Sequence, residues 1–233
     1  AGLLAPVLEP VWVAHLLPAA LAPPPLVWDA VHRLSRGWAY DLRQVAPHTE
    51  VEAFARRTLA RLNGTSLWDA ACHEGWLLEQ LQRRSPGLRL VGSDVSPSLL
   101  RRAASRCPRC LTAAFDLHDL VAAPEEAWPD GFPKDVDIAV VSDVLYYISW
   151  GGFPPLLLKL GIIPRAWTQP FEERFFAALR RRAKLILFSD HQGDRWIEGA
   201  LGRAGAIARD VRVQRPDDIE VASGKVWILS GSR

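Results

Sequence analysis

The chain has 233 residues, 49% of them hydrophobic, enough to bury one substantial core, and its length favours one domain over two. With 28 Lys+Arg against 26 Asp+Glu, bulk charge gives no support for a nucleic-acid partner. The three cysteines, Cys72, Cys107 and Cys110, are too few for a disulfide framework and predict reduced thiols in a cytoplasmic setting.

The first residues, AGLLAPVLEPVWVAHLLPAALAPPPLVW, are strongly apolar, but proline interrupts them repeatedly and no basic region precedes them. A membrane-spanning helix needs about 20 uninterrupted apolar residues, so no membrane partner is expected. Residues 1–48 are read as a cover packed over the domain or over a partner subunit, the second arrangement making a homodimer. A domain is expected over 49–233, beginning with a helix to about Leu62 that Thr49 and Glu52 would open as a capping box.

A short strand to Asp69 follows, then a helix from about Gly75, a strand LRLVGSD ending at Asp94, and a helix that Ser96 caps and Pro97 starts. CPRC, from Cys107 to Cys110, has the spacing of a zinc half-site without a second pair; it is read as a helix end and a buried strand residue, with no metal. Strands LTAAFD (to Asp116) and VDIAVVSD (to Asp143) come next. Residues 149–170 are long, apolar and rich in Gly and Pro, a candidate lid or acceptor wall. A helix over Phe171–Arg181, a strand KLILFSD to Asp190, a helix ending near Gly205 and two last strands complete the order. Strands alternating with helices predict an α/β fold with an open, mostly parallel sheet covered on both faces.

In such sheets ligands bind beyond the carboxyl ends of the strands, where Asp69, Asp94, Asp116, Asp143 and Asp190 are expected. Carboxylates around a pyrophosphate repel it by about 1 kcal/mol or more each, so the acidic rim disfavours a dinucleotide and favours a cationic, phosphate-free ligand such as S-adenosylmethionine. The turn ACHEG, from Ala71 to Gly75, carries His73 where a dinucleotide site needs a glycine, which again disfavours NAD. Asp94, 25 residues after Asp69, can accept protons from both hydroxyls of a ribose.

LWDAACHEG (Leu67 to Gly75) and LVGSD (Leu90 to Asp94) resemble the first two motifs of class I S-adenosylmethionine-dependent methyltransferases. WPDG (Trp128 to Gly131), SDVLYYI (Ser142 to Ile148) and GDRWIEGAL (Gly193 to Leu201) are similar to nodulation-type (NodS-like) small-molecule members. The resemblance spans roughly residues 49–230. It implies a Rossmann-like, mostly parallel seven-stranded sheet with an antiparallel last strand, and S-adenosylmethionine as cofactor. By the same resemblance Asp69, Ala71, Cys72 and Gly75 would surround the methionine part, Asp94 and Val95 the ribose, Asp116 and Leu117 the adenine, and Ser142 and Asp143 the methyl-transfer side. Ala71 and His73 stand where the family has glycines.

Methyl transfer is an in-line displacement in which alignment supplies most of the rate, and a base is needed only for a protonated acceptor. His191, Tyr146 and Asp143 are the catalytic candidates, with Tyr147 and His118 behind them. The expected reaction is methylation of an N or O nucleophile on a small molecule; a binding or regulatory protein that kept the fold and lost turnover is the other reading.

Overall fold

The computed structural model describes residues 46–123, 128–130, 132, 134–142, 144–145, 162, 164–190, 195–214 and 221–231. Helix α1 (Ala46–Leu62) leads into β1 (Ser66–Ala70), α2 (Trp76–Arg84), β2 (Arg89–Asp94), α3 (Pro97–Arg106), β3 (Leu111–Ala114) and a short α4 (Asp119–Ala122). After β4 (Val136–Ser142) come α5 (Gln169–Arg182), β5 (Ala183–Asp190), α6 (Arg195–Arg203), β6 (Ile207–Gln214) and β7 (Val221–Ser230).

The seven strands lie in the order β3-β2-β1-β4-β5-β7-β6. β1 pairs parallel with β2 and β4, and β7 runs antiparallel between β5 and β6. The chain winds outward from β1 to β3 and then returns to place β4 on the other side of β1, so the sheet has its switch point between β1 and β4. The expected seven-stranded architecture, antiparallel last strand included, is present.

Side chains that alternate across the sheet separate two cores. On one face Leu67, Leu90, Ile138, Val140 and Leu187 meet Val51, Ala55 and Leu59 of α1 and Leu77, Leu78 and Leu81 of α2. On the other, Trp68, Val91, Ala139, Val141, Ile186 and Phe188 meet Phe175 and Leu179 of α5 and Ile197 and Leu201 of α6. Strands buried on both faces must be apolar at consecutive positions, which is why IAVV and LIL read as continuous runs.

Local chemistry sets the element ends. Ser96 Oγ accepts from Leu99 N at 3.4 Å and Pro97 opens α3, as expected for an N-cap and first-turn proline. The capping-box reading at the start of the domain is corrected: α1 begins at Ala46, which places Thr49 and Glu52 inside it. Buried Glu52 instead pairs with Arg56 (2.6 Å) and Arg84 (2.8 Å), tying α1 to α2. β3 is also shorter than expected, and Asp116 falls two residues beyond its end.

The reading of CPRC as two separate thiols is corrected as well. Cys107 caps the end of α3, the chain turns through a 2.9 Å bond from Cys110 N to Cys107 O, and the two sulfurs are joined as a disulfide across a Cα separation of 5.3 Å. A tight turn brings the pair within disulfide reach without a wider framework. No helix among the described residues is long and apolar enough to cross a membrane.

One carboxylate fastens the amino ends of three strands. Asp137, at the second position of β4, accepts from Thr65 N (2.7 Å), Ser66 N (3.0 Å), Ser66 Oγ (2.9 Å) and Lys184 Nζ of β5 (2.6 Å). Burial works against its charge, but Lys184 and the β1 donors outweigh it and bring its pKa down to about 2. Asp137→Asn should therefore cost about 1.5–3 kcal/mol at neutral pH. Because the folded pKa is depressed, that stabilisation is present above about pH 4 and is lost as pH falls toward 2, so urea unfolding of wild type and variant should converge across this window.

Candidate functional site

The turn between β1 and α2 holds three residues with left-handed backbone at alternate positions: Ala71 (φ 61°), His73 (φ 51°) and Gly75 (φ 78°). A glycine-rich turn would adopt this shape at no steric cost; here Ala and His adopt it, each at a cost of about 1–2 kcal/mol. Neighbouring contacts impose the shape. Cys72 N donates to Ser93 O of β2 at 2.8 Å, and Gly75 N to Cys72 O at 2.9 Å. A Cβ at Gly75 would lie 2.9 Å from Ala103 of α3, so only glycine serves the third position. Gly92 of β2 is needed for a similar reason: its Cβ would fall 2.8 Å from Cys72 Sγ and 2.6 Å from Leu78 Cδ1.

Asp94 anchors this turn. It ends β2, is buried, and accepts His73 N on Oδ2 (3.0 Å) and Ser96 N on Oδ1 (2.9 Å). One carboxylate thus shapes both the turn after β1 and the start of α3. Asp69 is one residue short of the β1 end and 4% exposed. Burial, and then the charge of Asp94, push its pKa up to about 8, and no described cation lowers it. The Cys72 thiol, buried and close to both aspartates, is pushed well up and stays neutral.

Along the rim toward β3, Asp116 accepts from both the backbone N and the ring Nδ1 of His118, each at 2.9 Å. Burial opposes its charge, and His118 overrides burial to hold the carboxyl below the usual range. Leu117 is buried beside it, and the His118 ring lies 5.8 Å from Phe171 at the start of α5. Val95 follows Asp94 directly and is half-buried. Toward β5, Ser142 closes β4 and its Oγ lies 2.5 Å from Ser189 Oγ. Asp190 ends β5. Asp143, Tyr146, Tyr147 and His191, and most of the 149–170 lid candidate, lie outside the described residues.

The structure therefore brings Asp69, Ala71, Cys72, Gly75, Asp94 and Val95 together around one turn, with Asp116–Leu117 on one side and Ser142 on the other. It also redraws the acidic rim. Three strands end in Ser-Asp in the sequence, but Val141 is level with Ala70 and Phe188, and Ala70 with Ser93, so Asp94 shares its row with Ser142 and Ser189. That row carries one carboxylate and two hydroxyls. Sequence reading passed over Ser189; the repeated Ser-Asp endings were the available signal, and the one-residue offset that gives them different neighbours is a property of pairing alone.

No family model matches the chain. Among solved structures, it resembles the methyltransferase domain of bacterial CtHen1 (18% identity, 80% of this chain and 97% of that one, TM-score 0.51). It also resembles magnesium protoporphyrin IX methyltransferase from Synechocystis PCC 6803 with bound SAM (15% identity, 83% and 85% of the two chains, TM-score 0.52). The N-methyltransferase NodS from Bradyrhizobium japonicum WM9 matches at 19% identity over 80% and 86% of the chains with a TM-score of 0.49, too distant to add to these. The chain has the class I methyltransferase fold. In sequence, a stretch of 43 residues is 44% identical to isonocardicin synthase of Nocardia uniformis subsp. tsuyamanensis, covering 18% of this chain and only 14% of that protein.

Gly75→Ala should destabilise the fold by about 2–5 kcal/mol, combining left-handed strain with the clash against Ala103, whereas Ala71→Gly should be neutral or mildly stabilising; chemical denaturation of both variants checks the contrast. Asp69 predicts a pH dependence of opposite sign to that of Asp137. Its folded pKa is raised, so its contribution is full below about pH 4 and is lost as pH rises toward 8, with a slope of at most about 1.4 kcal/mol per pH unit. Asp69→Asn should flatten that part of the stability–pH curve.

Proposed function

We propose that this protein is an S-adenosylmethionine-dependent methyltransferase that acts on an N or O nucleophile of a small molecule. The observation that carries the reading is the left-handed turn 71–75, fastened to the Asp94 carboxylate at the switch point of a sheet ordered 3-2-1-4-5-7-6. The fold shared with solved methyltransferases supports it.

The residues fit the donor's chemistry. Asp69 is a buried carboxyl with a second carboxylate beside it and no described cation lowering its pKa, a setting that a ligand ammonium or sulfonium relieves and a pyrophosphate would worsen. Asp69, Ala71, Cys72 and Gly75 would hold the methionine part. Asp94 would accept from ribose hydroxyls on its carboxylate oxygens, with Val95 beside it. Asp116, its orientation fixed by His118, would meet the adenine together with Leu117. Ser142 and Asp143 would face the transferred group. When bound, the donor supplies a methyl on a positively charged sulfur, open to in-line displacement. This chain's own part is to align donor and acceptor and to exclude water. His191 or Tyr146 would take a proton where the acceptor arrives protonated.

Calorimetric titration with S-adenosylhomocysteine tests the reading. Wild type should bind, and Asp94→Ala should weaken binding by about 10- to 100-fold, the worth of charge-assisted hydrogen bonds. Binding near pH 7 should release protons as Asp69 ionises toward the ligand ammonium, seen as a heat that varies with the ionisation enthalpy of the buffer and disappears in Asp69→Asn. Absence of binding by the wild-type protein would overturn the proposal. Binding without labelled-methyl transfer to any of a broad panel of amines, alcohols and phenols would leave a binding protein in place of an enzyme.

A further inference from the structure

The Cys107–Cys110 disulfide takes no part in the proposed transfer, yet it closes the helix that backs the candidate site. α3 supports the 71–75 turn from its carboxyl-terminal end. Ala103 stands behind Gly75, and Arg102 and Arg106 both pair with Glu74 of the turn, Arg106 at 3.1 Å. The Arg106 guanidinium also lies 3.6 Å from the centre of the Trp76 ring, at the start of α2, and 3.6 Å from Glu79. Cys107 follows Arg106 directly and caps the helix, its amide donating to Ala103 O at 2.9 Å. The residues that hold the turn are thus the last ones of α3, and helix ends fray unless something fastens them. The disulfide fastens this one.

The two sulfurs differ in access. Cys107 is fully buried, in the core that Leu77, Leu78 and Leu81 of α2 also line, with its Sγ 3.7 Å from Leu78 O. Cys110 is half-buried between exposed Arg109 and exposed Leu111. A thiolate arriving from solvent reaches Cys110 first, and exchange depends on which sulfur can be approached. Arg109 beside it suits a small thiol that carries carboxylates.

We propose that Cys107 and Cys110 are a redox-active pair that exchanges with low-molecular-weight thiols, and that their state sets how firmly α3 holds the 71–75 turn. The thiolate attacks Cys110 Sγ, the bond between the two protein sulfurs breaks, and Cys107 leaves with the electron pair and takes up a proton. A second thiol then resolves the mixed disulfide at Cys110. Two small thiols are oxidised to one disulfide, and the protein gains two electrons and two protons; the reverse needs a low-molecular-weight disulfide as oxidant. In the oxidised form Arg106 and Ala103 are pinned against the turn. In the reduced form the end of α3 frays and the turn loses that backing. The effect on the turn stands without the methyltransferase reading; the resulting loss of donor affinity rests on it.

Hydrogen–deuterium exchange of the ligand-free full chain tests the first part, with the protein oxidised by glutathione disulfide or reduced by excess glutathione and its thiols counted by alkylation. Amides over 71–79 should exchange about three- to tenfold faster in the reduced form, while β4 and β5 stay unchanged. Cys110→Ser, which keeps the buried Cys107 and cannot form the bond, should match the reduced wild type under both conditions. Calorimetry with S-adenosylhomocysteine tests the second part: Kd should rise about three- to tenfold on reduction, and Arg106→Gln should weaken binding to the oxidised form and abolish its response to reduction. A bond that glutathione leaves intact, equal exchange over 71–79 in the two forms, or equal Kd values would each overturn the proposal and leave the methyltransferase reading standing. If neither form binds S-adenosylhomocysteine but the exchange rates differ, the methyltransferase reading falls and the coupling of the pair to the turn is upheld.

Discussion

Two hydrogen bonds accepted by one carboxylate hold the candidate site in shape. Asp94 takes an amide proton from the turn after β1 on one oxygen and an amide proton from the start of α3 on the other, so it couples two successive β–turn–helix units at their common edge. An anion at this place has backbone donors on two sides, and charge-assisted bonds of this kind are about twice as strong as neutral ones. The left-handed residues of the turn, the approach of Gly75 to Ala103 and the desolvation of Asp69 all depend on these two contacts being kept.

The same carboxylate adds to the electrostatics of the turn. Burial first, and then the charge of Asp94, keep Asp69 from ionising at neutral pH and push its pKa up to about 8. At the opposite, amino-terminal edge of the sheet, Asp137 is surrounded by donors and by Lys184 and lies near 2. Two buried aspartates in adjacent strands thus move in opposite directions because Lys184 and backbone donors meet Asp137, whereas burial and the charge of Asp94 act on Asp69. The donors at the amino end serve the fold.

Much of this was legible in the residues. Apolar runs bounded by Gly, Pro and Ser-Pro gave the order of strands and helices, and the Ser96–Pro97 cap was readable because capping is local chemistry. The Asp69 and Asp94 positions followed from strand ends in an open α/β sheet. What failed to be legible was pairing. The Asp137 anchor sits in VDIAVV as a lone acid inside an apolar run, a visible oddity whose partners, 71–72 and 47 residues away, no local pattern supplies. The Ser142–Ser189 contact depends on register between β4 and β5, and the start of α1 was misplaced because Glu52, which looked like a cap, is spent on Arg56 and Arg84. The Cys107–Cys110 bond likewise arises from the turn that ends α3, a matter of backbone geometry and not of cysteine count.

The turn itself shows left-handed backbone held at residues other than glycine. Ala71 and His73 keep the angles that glycines would take, because Ser93, Asp94 and Ala103 press on the loop from β2 and α3. Those same contacts tie its composition to α3 and β2: with Ala103 behind Gly75 and Cys72 against Gly92, a side chain added at either glycine would have to displace a neighbour that the core holds.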